Sequence, residues 1–296
     1  MPDGAFFAFL VVDGALAGAI YALVALAFVV VYKASRMINF ALGEWVMLGA
    51  RLVATGIHTL GLPLVGGVGL GVAGMVALAV VFNRGVVRPL VARPLISLLM
   101  VTIGLGILLR GAMTLIFAGV PSRIPVPTLP TPTIFGVSVA PEKLLAAAVA
   151  VVCITVVTWF FRATRTGLAL RAMADDQQTA LAVGIDVHHH LGLTWAMAGG
   201  LAAVAGTLWS VASGGGFSLA LLGLKVFPIV VVGGLDSIPG TIISAVAMGV
   251  LESLTVGYLD PLLGTGFSTV VSYLVLLVVL MLRPYGLLGR PAVERV

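Results

Sequence analysis

Nine apolar runs follow one another along the chain, at residues 6–32, 41–60, 64–82, 95–118, 144–161, 191–211, 219–235, 238–254 and 267–282, separated by short polar or proline-rich breaks. The apolar residues run on without alternating in polarity, as at 72–82. That suits helices of about 20 residues crossing a hydrocarbon core about 30 Å thick. An outer-membrane barrel would instead alternate polarity over segments of about ten residues. The pattern predicts an all-α, polytopic transmembrane helical bundle of about 8–10 spans, built as one domain over residues 1–296. The stretch 219–254 is the ambiguous one, because it contains Lys225, Pro228 and Gly-Gly-Leu-Asp-Ser-Ile-Pro-Gly at 233–240. It reads as two crossings or as a hairpin of broken helices. Irregular backbone at membrane depth is tolerated where protein or a water-filled cavity covers it.

Composition supports this class: 60% of residues are hydrophobic and 9% charged, with a mean hydropathy of +1.20, against about 25% charged in a soluble domain. The net charge of +5 does not point to nucleic acid, because the basic residues fall in a topological pattern. If successive runs alternate sides, Lys33/Arg36, Arg84/Arg88/Arg93, Arg162/Arg165/Arg171 and Arg283/Arg290/Arg295 share one side, while loops on the other hold only Arg123 and Lys143. The positive-inside rule makes the basic side cytoplasmic, with the N-terminus outside and the C-terminus inside. Residues 1–10 lack the basic start of a secretory signal, so the first run is expected to persist. The single Cys153 lies in an apolar run and builds no disulfide framework.

Two loops stand out. Residues 119–141 hold prolines 121, 125, 127, 130, 132 and 141, so this external loop should be extended and stiff, either as a connector or as a contact for an outside partner. Residues 162–190 form the longest polar stretch. A helical pattern through Leu168, Ala172, Ala180 and Gly184, with Asp175 and Asp176 inside it, predicts a short amphipathic helix on the cytoplasmic face.

Candidate chemistry is confined to ionisable groups in or beside apolar runs: Glu44, Arg51, Arg110, Lys225, Asp236 and Glu252. Such groups normally face the bundle interior or water and pair with one another. Glu44 and Arg51 share a helix face but are too far apart to pair directly. Asn39, Phe40 and Glu44 line a solute path or its gate, or else cap a helix break. Lys225 faces the pathway or snorkels to a boundary. His188, His189 and His190 point about 100° apart on a helix and suggest no shared metal, so neither metal nor cofactor is assigned. No nucleophile elbow, metalloprotease motif or phosphate-binding Gly-x-x-x-x-Gly-Lys-Ser/Thr is present.

Four motifs in order carry a resemblance. They are Ile38-Asn39-Phe40-Ala41-x-Gly43-Glu44; Arg165-Thr166-Gly167-x-x-x-Arg171-Ala172 with Asp175-Asp176 and Ala180-x-x-x-Gly184-Ile185; Gly233-Gly234-x-x-Ser237-x-Pro239-Gly240; and Arg283-Pro284-x-Gly286-Leu287-x-Gly289. Together they resemble the branched-chain amino acid ABC importer permeases of the LivH type. The resemblance implies a bacterial inner-membrane subunit forming half of a translocation pathway. Its implied partners are a homologous second permease, two ATP-binding subunits and a periplasmic or lipid-anchored solute-binding protein. ATP would then be hydrolysed on another chain.

It also implies that Arg165, Gly167, Arg171, Ala172, Asp176, Ala180 and Gly184 belong to the loop that couples to the ATPase. Asn39, Phe40, Gly43, Glu44, Gly233 and Gly234 belong to the path or gate. The general importer signature Glu-Ala-Ala-x-x-x-Gly is only half kept, as Gln178-Thr179-Ala180-x-x-x-Gly184. Ala180 is expected to seat against the partner, and Gly184 to end a helix in a left-handed turn. Relatives of this type also carry urea, amides or other small solutes. An ATP-independent transporter and a membrane-embedded enzyme are the competing classes.

Overall fold

The first apolar run forms one long helix, α1 (Asp3–Ser35), whose residues 20–31 are buried on every side. A helix apolar all round belongs in the middle of a bundle, and α1 is the post around which the others stand. The computed structural model describes residues 3–90, 95–126, 130–134, 137–175, 177–264 and 266–289. Around α1 are α2 (Leu42–His58), α3 (Leu64–Phe82), α4 (Leu95–Ile116), α5 (Pro141–Ala163), α6 (Arg165–Asp175), α7 (Gln177–Ala182), α8 (Val187–Ser213), α9 (Leu221–Gly233), α10 (Ile238–Tyr258) and α11 (Phe267–Leu282).

Close approach of small residues fixes the packing, as expected where lipid supplies no hydrophobic drive between helices. Gly14 and Gly18 of α1 lie against α10, where a Cβ on either would meet backbone of Gly249 or Val246 at 2.6–2.7 Å. Gly199 and Gly206 of α8 press in the same way on the carbonyls of Met75 and Val46. The outer helices leave apolar side chains uncovered, among them Val65, Ile107, Leu115, Val152 and Met281. A bilayer accepts such a surface without cost.

The nine runs all become helical, but unequally. Six stretches are long and apolar enough to cross a membrane: Gly4–Ser35, Leu64–Leu90, Ile96–Ile116, Pro141–Ala163, Val187–Ser213 and Ile238–Tyr258. Helices α2, α9 and α11 have 17, 13 and 16 residues and rise only about 20–26 Å. For α2 and α9 the reason is that both begin inside the bundle. The α1–α2 connection, residues 36–41, is non-helical, and Phe40 N–H donates to Thr102 Oγ1 at 3.3 Å. Thr102 and Gly106, which faces Ala41 and Glu44, stand about 10 and 16 Å along α4 from its start at Leu95. The start of α2 is therefore near the middle of the roughly 33 Å span of α4. The start of α9 meets it there: a Cβ on Gly43 would lie 2.0 Å from Ala220 O, and one on Gly223 2.6 Å from Gly43 N. Over 219–254 the two halves differ: the first is short and broken, whereas α10 is one continuous helix of 21 residues. A 3-10 turn (Phe217–Ala220) leads into the short α9, and a turn through Gly234–Ser237 joins it to α10.

One polar loop differs from expectation. Residues 162–190 hold two short helices, α6 and α7, where one was expected. Thr164 caps α6 by accepting from Gly167 N–H at 2.9 Å, and a Cβ at Gly167 would collide with Phe160 O at 2.4 Å. Within the proline-rich loop, Thr133–Ile134 pairs antiparallel with Val137–Ser138, a short ladder of extended backbone. The end of α3 passes through a π-turn (Asn83–Val87), where Arg88 donates to Asn83 Oδ1 and to His188 O. That contact ties α3 to the start of α8.

Candidate functional site

At the end of the bundle that carries Lys33, three of the four motifs converge around a cavity of about 440 Å³, lined by Lys33, Arg36, Arg171, Asp175, Asp236 and Pro239 among others. Arg36 is the joint. Its Nη2 donates to Ala174 O, in the last turn of α6, at 2.8 Å. A guanidinium there meets the partial negative charge of the helix end. Arg36 also stands at φ +55°, the one non-glycine residue with positive φ among the described residues. Three residues further on lies Asn39. The loop at 165–185 is thus bonded to Arg36, two residues ahead of the motif at 38–44, a contact that the sequence does not announce.

The third and fourth motifs interlock beside this cavity. Leu287 N–H donates to Val232 O at 2.8 Å and Leu288 N–H to Gly233 O at 3.3 Å. Gly234, at φ +102°, has no room for a Cβ, which would meet Gly289 N at 2.5 Å. Gly233 lies against Gly240 with comparable closeness, and Ser237 caps α10 by accepting from Gly240 N–H. Gly233 and Gly234 are accordingly backbone contacts at the Lys33 end, away from Asn39, Phe40, Gly43 and Glu44, with which the resemblance grouped them.

Within the loop, Arg165 is exposed, Gly167 is buried, and Arg171 and Ala172 line the cavity. Asp176 lies outside the described residues. Ala180 differs from expectation: its side chain is turned into the chain, packed with Met173 and Val187. The exposed apolar residues there are Leu168, Leu181 and Val183. Gly184 takes φ +86°, and Ile185 N–H returns to Ala180 O at 3.0 Å, ending α7 in a left-handed turn. Asp186 then caps α8. The His189 amide donates to its carboxylate at 3.0 Å and, with the His188 amide, holds that carboxyl below its usual range.

The second assembly is at mid-depth. Thr102, Gly106 and Arg110 form an i, i+4, i+8 stripe on α4 facing the start of α2. Thr102 accepts from Phe40 N–H, Gly106 leaves space for the Glu44 carboxylate, and Arg110 Nη2 pairs with Glu44 Oε1 at 2.5 Å. The two partners are unequal: the Glu44 side chain is 9% exposed and that of Arg110 53%. Asn39 is buried and accepts from Ala41 N–H at 3.1 Å through Oδ1, while its Nδ2 has no partner among the described residues. Phe40 is partly exposed and tilted against Phe227 with ring centroids 5.8 Å apart. The lock on the helix break is visible here. Asn39 locks the break before α2, and Phe40 and Glu44 sit beside an accessible charge.

Other membrane charges find partners too. Lys225 of α9 pairs with Glu252 of α10, and Tyr21 of α1 donates to Glu252 Oε2 at 2.9 Å while accepting from Lys225. Arg51 donates to Val120 O at 2.8 Å and stacks over Phe217. Tyr21, Thr102 and Thr164 carried no signal in the sequence. Arg110 did, as a charge inside an apolar run, but its partner was not legible.

Comparisons with known proteins agree with the geometry. Residues 10–282 match the family model for the permease component of the branched-chain amino acid transport system. The chain is 32% identical over 305 residues to the high-affinity branched-chain amino acid transport system permease protein LivH of Salmonella typhimurium, covering 96% of each protein. The LivH protein of Escherichia coli K12 matches with the same identity and coverage. The corresponding permease BraD of Pseudomonas aeruginosa is 31% identical over 304 residues, again covering 96% of each.

Proposed function

We propose that this chain, which belongs to the family of branched-chain amino acid transport system permeases, forms half of the translocation pathway of an ATP-driven importer for branched-chain or related hydrophobic amino acids. A homologous permease supplies the other half. Two ATP-binding subunits dock at the Lys33 end, which is cytoplasmic in the inner membrane of a bacterium, and a solute-binding protein delivers the amino acid at the opposite face. This orientation rests on the clustering of basic residues at one end.

The single observation that carries the reading is the hydrogen bond from Arg36 to Ala174 O. Displacement of α6 and α7 by closing ATPase subunits would pull on the 36–41 connection and so on Asn39, Phe40, Gly43 and Glu44. In this scheme Arg165, Asp176 and the exposed Leu181 and Val183 meet the ATPase. Gly167, Arg171, Ala172, Ala180 and Gly184 shape the two helices so that they move as one piece. Gly233 and Gly234 hold the tail against α10 as a fixed point.

Co-purification with the cognate ATPase subunits, then uptake into proteoliposomes with and without ATP, tests the assignment. ATP-dependent leucine uptake supports it, and uptake by the chain alone without ATP overturns it. Gly184→Arg clashes with nothing but strains the left-handed turn at φ +86°; the strain is confined to the loop outside the long apolar helices, so the variant should still insert, yet release ATPase activity from uptake. Normal uptake by that variant refutes the coupling role of the loop.

A further inference from the structure

We infer that Arg110 and Glu44 form a mid-membrane subsite for the charged head of a zwitterionic amino acid, Arg110 taking the carboxylate and Glu44 the ammonium. The inference rests on the transport reading above and names the chemistry of one step within it. Four observations meet at this place. Arg110 keeps a half-exposed guanidinium on α4 among the uncovered apolar residues Ile103, Ile107 and Leu108. A charge at this depth is stable only facing water or a polar partner, and Glu44 satisfies one edge of the guanidinium fork, leaving other donors free for a carboxylate. Helix α2 starts here, with its backbone in contact with α9 at Gly223, so the partial positive charge of the α2 end lies where an anion would sit. Asn39 Nδ2 is buried at the same break with no partner among the described residues, a donor whose cost is relieved only if something else comes to it.

The pair is suited to exchange rather than to permanent locking. The buried Glu44 is a fixed anion, and Arg110 can turn away from it at little cost because its other side is open. An arriving zwitterion replaces each partner of the ion pair with its own opposite charge. No net charge is carried into low dielectric, and none is stranded when the solute leaves. A solute lacking either charge would leave Arg110 or Glu44 unmatched, so the subsite selects amino acids over amines and acids of the same shape.

The test uses the complete importer, with the second permease, ATPase subunits and binding protein. In proteoliposomes with enclosed ATP, Arg110→Gln and Glu44→Gln should each lower leucine uptake at least about tenfold. The neutral double variant Glu44→Gln/Arg110→Gln separates the two roles. It removes the unmatched charge, so a purely structural pair would regain uptake in it, whereas a subsite would not. In nanodiscs without the binding protein, the wild-type complex should bind leucine in preference to isoamylamine, its decarboxylated analogue. Arg110→Gln should lose that preference about tenfold, and Arg110→Lys should keep part of it. Recovery of uptake in the double variant, an unchanged preference in Arg110→Gln, or absence of leucine binding to the wild-type complex each overturns the subsite. Failure of the wild-type importer to take up leucine at all would instead remove the transport reading beneath it.

Discussion

Arg36→Gly separates stability from coupling, because two opposing effects of similar size act at one residue. The substitution removes the hydrogen bond to Ala174 O. A charged donor on a carbonyl contributes about 1.5–3 kcal/mol when well buried, and Arg36 is solvent-exposed, so about 1 kcal/mol is lost. Against this, a non-glycine residue held in the left-handed region costs about 1–2 kcal/mol. Glycine relieves that strain at φ +55°, less about 0.5–1 kcal/mol for its freer unfolded chain. The sum is near zero. Thermal unfolding of the purified importer should therefore be almost unchanged, while leucine transported per ATP hydrolysed falls several-fold, because α6 can move without the 36–41 connection. Arg36→Asn, which tolerates the same backbone but cannot reach Ala174, should behave alike. Unchanged transport per ATP in both variants would refute the reasoning, and a large drop in melting temperature would show the contact to be structural instead.

Other outcomes follow from the same geometry. Gly43→Ala puts a Cβ 2.0 Å from Ala220 O, where about 3.3 Å is comfortable. It should separate the starts of α2 and α9 by about 1 Å at an overpacking cost of about 1–3 kcal/mol, read as a lower melting temperature. Lys225→Met strands Glu252 with Tyr21 alone, costing about 3–5 kcal/mol. Lys225→Met/Glu252→Gln should cost less than that single change, and a double variant less stable than Lys225→Met would contradict it. The Asp186 cap is a depressed carboxylate. Its stabilisation is complete above the unfolded value of about 3.9 and fades only as pH falls through the lower folded one. Asp186→Ala should then lower the melting temperature equally across neutral and mildly acidic pH, and a loss that varies there would assign the effect to the neighbouring histidines.

Membrane class and the places of the apolar helices could be read directly from the sequence, because hydropathy is a local quantity. A run of about 20 apolar residues must satisfy its backbone internally, and only a helix does so within one segment. The left-handed stop at Gly184 was readable for the same reason, since helix termination depends on one residue and its neighbours. The second helix of the 162–190 loop was not readable. The cap from Thr164 and the inward turn of Ala180 onto Met173 and Val187 depend on what lies across the fold.

The sequence by itself determined that this chain spans a membrane and that its ionisable groups would be few and paired. The tertiary structure alone decided which groups pair and at what depth. Glu44 and Arg110 stand 66 residues apart and Tyr21 and Glu252 231 apart, so no periodicity connects them. Likewise, nothing in the run 41–60 reveals that α2 starts half-way along α4. That depends on Thr102 and Gly106 holding residues 40–44 there, and on the backbone contact of Gly43 with Gly223. Hydropathy reports what a segment prefers to be immersed in. Register and depth are set by the partner surface it meets, and that surface comes from elsewhere in the chain.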